Sequence, residues 1–180
     1  MTEPFHKVNI LTGTKAALII EEGAKYADLI KKAKRPLLVL GARVLEDGLL
    51  HKPLMEYAVE LARAANMPIC ATAHTKKRLL EQGIIPECSY DLVEIINSLK
   101  NPNWSGVKGE GNHDLVIFFG IRTDLAQQVL STLKHYAPHL KTATLCKYYY
   151  PHASYSLPNF LQDKKWQALL DAIIKDLKEV

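Results

Sequence analysis

Few side chains in this sequence combine reactive chemistry with a telling position. His74 and Arg122 are two that do, because each follows an apolar run by a few residues. An imidazole at the end of a strand can bond a phosphate or a flavin, or move a proton. The alternative for His74 is a loop histidine bonded to backbone. The Arg122 guanidinium matches a phosphate with its two-pronged donor fork. Its alternative is a salt bridge to Asp124 or another neighbour. Cys70, Cys88 and Cys146 are odd in number and widely spaced. That pattern argues against a disulfide framework. It also argues against an iron–sulfur cluster held by this chain alone, which normally takes a full set of thiolates. Cys70 is most simply a small core residue. His135 and His139 have helical spacing for a metal pair, but Pro138 between them breaks the helix that would align them. Tyr148, Tyr149 and Tyr150 suit packing or an interface better than nucleophilic attack. The NTPase phosphate loop, the dinucleotide glycine fingerprint, the GxSxG elbow and HExxH are all absent.

Four strands must position these groups. In Asp114-Leu115-Val116-Ile117-Phe118-Phe119-Gly120 five apolar residues in a row follow an acidic one and stop at glycine. Such a run is a strand buried on both faces, the kind found in parallel sheets covered by helices. Residues 36–41, 68–71 and 141–145 read the same way. Between the strands lie amphipathic patterns with Tyr26 and Ile30, with Leu50 to Ala65, with Leu92 to Leu99, with Leu125 to Leu133, and with Trp166 to Leu177. A short helix is expected over 76–82, and Ala42 to Gly48 reads as a loop. Asn66 is expected as a left-handed cap. Lys31, Lys32, Lys34 and Arg35 are expected in the last turn of the first helix, complementing its dipole. The alternation predicts a doubly wound, mostly parallel α/β sheet with helices on both faces. Chain 1–180 is expected to be one domain, with 1–20 a candidate N-terminal arm. Within that arm, Lys15 to Ile20 reads either as a helical turn or as extended chain.

Ligands in open α/β sheets bind at the carboxyl ends of strands. The candidate binding residues are therefore Gly41, Ala42, Arg43, Thr72, His74, Gly120, Ile121 and Arg122. The stretch 101–113 holds three glycines and Trp104 without periodicity. Loops of that length in compact domains tend to be functional or disordered, and a lone Trp suggests anchoring to the body or to a partner. A net charge of +4 is too mild to imply nucleic acid. No signal-peptide pattern and no bilayer-length apolar run is present, so a cytoplasmic, non-membrane protein is expected.

Two stretches carry a family resemblance. They are Ala33-Lys34-Arg35-Pro36-Leu37-Leu38-Val39-Leu40-Gly41, and Asn101-Pro102-Asn103-Trp104-Ser105-Gly106 with Gly109-Glu110-Gly111-Asn112-His113-Asp114. With them the chain, from about Glu21 onward, resembles the epsilon subunits of archaeal acetyl-CoA decarbonylase/synthase (CO dehydrogenase) complexes. The resemblance implies a fold like the central domain of thiamine-diphosphate enzymes and of flavoprotein cofactor domains. It implies association with a CO dehydrogenase alpha subunit in an alpha2-epsilon2 component. Nickel and iron–sulfur clusters would then sit on alpha only. It further implies a role in stabilising alpha or assisting electron transfer to FAD, with no catalytic residue on this chain. Against that reading stand an independent flavin- or nucleotide-binding module and an independent enzyme such as a deacylase. For the enzyme, His74 is the one candidate base. A homo-oligomer is expected as an option for the isolated chain.

Overall fold

The structure, a computed structural model, describes residues 15–46 and 51–179. Seven strands form one sheet: β1 (Leu18–Ile19), β2 (Pro36–Leu40), β3 (Ile69–Ala71), β4 (Cys88–Ser89), β5 (Leu115–Phe119), β6 (Lys141–Thr144) and β7 (Tyr155–Ser156). Their order is β1-β7-β6-β5-β2-β3-β4, and every pairing is parallel. Between them run α1 (Gly23–Lys32), α2 (Leu54–Ala64), α3 (Ala73–Glu81), α4 (Leu92–Lys100), α5 (Thr123–Tyr136) and α6 (Asp163–Lys178). This is a doubly wound α/β fold, as the alternation predicts.

Period two decides which helix meets which strand residue. Leu38 and Leu40 of β2, with Leu115, Ile117 and Phe119 of β5, face α1, α2 and α6. Leu37 and Val39, with Val116 and Phe118, face α4 and α5. Both strands are therefore apolar at every position, and β5 is fully buried. The helix ends follow local chemistry. The Glu94 carboxylate accepts the Asp91 N–H at 2.9 Å, one half of a capping box that starts α4. Asn66, at φ 47°, turns the chain after α2 as expected.

Several boundaries differ from the sequence reading. Ala42–Leu45 is a 3-10 turn rather than a loop. The helix expected from about Leu50 begins at Leu54, just after Pro53, and residues 47–50 lie outside the described residues. α3 starts three residues earlier than expected, at Ala73, which puts His74 in its first turn. α1 ends at Lys32 and Ala33 is already extended, so Lys34 and Arg35 lie beyond the helix. Of the expected arm, Lys15 to Ile20 is extended and supplies β1 as the partner of β7. Residues 1–14 lie outside the described residues.

Candidate ligand crevice at the carboxyl edge of the sheet

The sheet order reverses between β2 and β5, which places the switch point at their carboxyl ends. Gly41 and Gly120 meet there. The Gly41 N–H donates to Phe119 O and the Arg43 N–H to Gly120 O, both at 2.8 Å. These bonds lay the 3-10 turn directly over the exit of β5. A Cβ on Gly41 would run into Gly120 O and lie 2.5 Å from the Ile121 Cα. A Cβ on Gly120 would run into Val44, 2.6 Å from its backbone N, and Gly120 sits at φ +70°. Backbone fills the β2–β5 crevice, and the Gly41 and Arg43 amides there are already bonded.

The open space lies one strand over, beyond β5 and β6. A cavity of about 250 Å³ is lined by Arg43, Gly120 and Ile121 of the expected set. The others go elsewhere. Ala42 is exposed in the 3-10 turn. Thr72 donates from Oγ1 to Leu40 O at 3.0 Å, tying β3's exit to β2. His74 is exposed on α3. Arg122 turns outward and binds its sequence neighbour, with Nη2 2.7 Å and Nε 3.2 Å from the Asp124 carboxylate. That pairing holds the Asp124 carboxyl below the usual range.

Residues outside the expected set complete the wall: Cys146, Lys147, Tyr148, Tyr150 and Trp166 among them. Trp166 donates from Nε1 to Leu145 O at 2.9 Å and stands edge-on to Phe119 at 6.3 Å. Lys147 forms a half-buried ion pair with Asp163 at 2.6 Å. The one nucleophile in the wall is Cys146, and burial pushes its thiol up although the amides of Gly120 and Ile121 bond the sulfur. Tyr150, buried beside Cys146, is pushed up to about 12, with burial the larger cause. Neither group ionises near neutral pH. The wall therefore offers aromatic faces and two cations, Arg43 paired with Glu46 at 3.5 Å and Lys147 with Asp163. Of these residues, only the aromatic cluster Tyr148 to Tyr150 was visible as a motif in the sequence.

The other two cysteines face each other across β3 and β4 in register. A hydrogen bond between the two thiols pushes Cys70 up and Cys88 down. All three cysteines are free. No cluster of three metal-ligating side chains occurs among the described residues, and no described helix is long and apolar enough to cross a membrane.

The loop 101–113 folds over the opposite, amino-terminal edge. Asn112 donates to Asn101 O at 2.7 Å and accepts the His113 N–H at 2.8 Å. The His113 ring accepts the Val107 N–H at Nε2 (3.3 Å) and reaches Arg35 O from Nδ1 (2.9 Å). Trp104 packs on that ring at 5.7 Å, so the loop's aromatic anchors it to the body of the chain.

Residues 1–174 match the family described as CO dehydrogenase beta subunit/acetyl-CoA synthase epsilon subunit. The chain belongs to this family. A family member from Methanothermobacter thermautotrophicus, acetyl-CoA decarbonylase/synthase complex subunit epsilon, is 41% identical over 90% of this chain and 89% of its own length. Subunit epsilon 1 of Archaeoglobus fulgidus is 37% identical over 84% of this chain and 80% of its own. Subunit epsilon 1 of Methanosarcina barkeri is 35% identical, covering 84% of each chain. The two stretches that carried the resemblance meet in space, since Lys34 and Arg35 contact Asp114 and Asn112.

Proposed function

We propose that this chain is the epsilon subunit of an acetyl-CoA decarbonylase/synthase complex. It acts there as a non-catalytic partner that stabilises the metal-bearing alpha subunit in an alpha2-epsilon2 component. The observation that carries this reading is the family match along nearly the whole chain. The chemistry of the carboxyl-edge cavity supports it, because the wall's buried thiol and phenol are both held protonated. Nickel and iron–sulfur chemistry belongs to alpha in this reading.

FAD is the cofactor this reading brings, and the cavity fits part of it. About 250 Å³ between Phe119, Trp166 and Tyr148 suits one ring system, while Arg43 and Lys147 beside it are already paired with Glu46 and Asp163. The pyrophosphate finds no cradle here, because the Gly41 and Arg43 amides are bonded to Phe119 O and Gly120 O. FAD when bound would accept electrons. This chain's share is to hold a ring against Phe119 and Tyr148 and keep water from it, and the rest of the site falls to alpha.

The test is reconstitution with alpha. Adding epsilon should lengthen the half-life of CO oxidation on heating. FAD titrated by fluorescence should bind the complex, with Tyr148→Ala weakening it about threefold or more, the scale of one stacking contact. Unchanged thermal inactivation of alpha sinks the stabilising role. FAD binding indifferent to Tyr148→Ala sinks this cavity as the ring site.

A further inference from the structure

A second cavity, of about 290 Å³, opens at the amino-terminal edge between the segment before β2, the turn before β3 and the 101–113 loop. Lys34, Arg35, Lys108 and Glu110 supply its charges. His113 adds none near neutral pH, because burial pushes its imidazole down and both ring nitrogens are engaged. Asp114 lies close, but its two oxygens are capped by the Lys34 and Arg35 amides at 2.8 Å each. Glu87 pairs with Lys108 at 3.6 Å. The lining itself carries three cations against the Glu110 carboxylate, with Asp114 and Glu87 just outside it.

Arg35 is held in place here. Its Nε donates to Asn112 O at 2.7 Å. Gly111, at φ +107°, lies flat on the guanidinium, where a Cβ would sit 3.5 Å from Cζ. That bond is the side chain's one hydrogen bond among the described residues, so the terminal nitrogens of this exposed, cavity-lining arginine have no protein partner there. Helix dipoles do not explain these cations. They account for Lys31 and Lys32 in the last turn of α1, but Lys34, Arg35 and Lys108 all lie outside helices.

We infer that this cavity binds a small polyvalent phosphate compound, with the Arg35 fork meeting one phosphate and Lys34 and Lys108 supplying further charge. A planar guanidinium fixed at Nε presents its remaining donors in the geometry of a phosphate edge. Several cations around one pocket favour a polyvalent oxyanion over a single carboxylate. The inference is independent of the FAD reading, which concerns the opposite edge.

The experiment is calorimetric titration of the isolated chain with inorganic pyrophosphate, with sodium chloride at equal ionic strength as the screening control. Pyrophosphate should bind with one site per chain. Arg35→Gln should weaken it about tenfold or more, the loss of a charge-assisted hydrogen bond. Lys108→Gln, on the loop surface, should weaken it about threefold, since a point charge contributes less. Lys164→Gln, at the start of α6 on the other edge, removes the same net charge and should leave binding unchanged. Melting curves without ligand confirm that each variant is folded, and Lys108→Gln carries the test if Arg35→Gln is not. Absence of heat beyond the chloride control overturns the site. Equal weakening by all three variants also overturns it, since that marks nonspecific attraction.

Discussion

Gly41 and Gly120 at the carboxyl edge and Gly109 in the amino-edge loop use glycine in opposite ways, whereas Gly106 in that loop is pressed on Gly111 O much as the first pair is. At the carboxyl edge Gly41 and Gly120 are pressed backbone to backbone, and each lacks room for a methyl group. At the amino edge Gly109 sits at φ +76° with nothing within 4 Å of where its Cβ would be. The first pair is there for close approach and the second kind for backbone freedom alone. Where glycines close a crevice, the usual ligand position is lost and open space moves aside to β6.

The largest expected effect breaks that comparison at its tightest point. Gly120→Ala must adopt a left-handed backbone and also displace Val44. It should cost about 3 kcal/mol or more, strain and overpacking together. Gly109→Ala meets strain alone and should cost about 1 kcal/mol. Urea unfolding of both variants measures the gap, and equal losses would mean that the Gly41–Gly120 contact is not tight.

A middle-sized effect concerns pH at the amino edge. Burial holds the His113 imidazole below its ordinary value of 6.5, so the folded chain prefers it neutral. The unfolded chain takes up the proton first. Stability is therefore full above that ordinary value and falls as pH drops from it toward the lower folded value. His152, also lowered by burial first, adds a slope of the same sign. His113→Gln should flatten the decline between about pH 7 and 5 and leave the His152 part. A slope unchanged in the variant would assign the whole effect elsewhere.

The smallest effects sharpen the comparison by what they fail to do. His74→Ala and Arg122→Ala, at exposed positions away from both cavities, should leave melting temperature and pyrophosphate binding as in wild type. A loss of ligand in either variant would return the site to the strand exits first expected from sequence.

The sheet's centre was legible because β2 and β5 are buried on both faces and read as unbroken apolar runs. β1, β4 and β7 were not, since two-residue strands carry no period. The start of α3 was hidden for a related reason. Only Thr75 and Leu79 are buried in it, so it shows no apolar stripe. Gly41, Arg43, Gly120 and Ile121 were legible as neighbours because strand exits share an edge. Cys146 and Trp166 were not, because their meeting depends on β6 lying beside β5 and on α6 crossing both. Arg35 was misplaced when four basic residues within five positions looked like one helix end. Where α1 stops is set by Ala33 turning extended ahead of Pro36.

The chain has two tryptophans, and the fold has put one at each edge. Trp104 packs at a tilt against His113 in the amino-edge loop, and Trp166 donates to Leu145 O beside the carboxyl-edge cavity. Indole emission follows polarity and nearby quenchers, and a protonated imidazole is a quencher. With Trp166 replaced by Phe, the remaining light comes from the loop and should dim as His113 takes up its proton. With Trp104 replaced by Phe, the remaining light comes from the aromatic wall and should stay indifferent to that proton. The molecule thus carries a separate intrinsic lamp for each of its two ends.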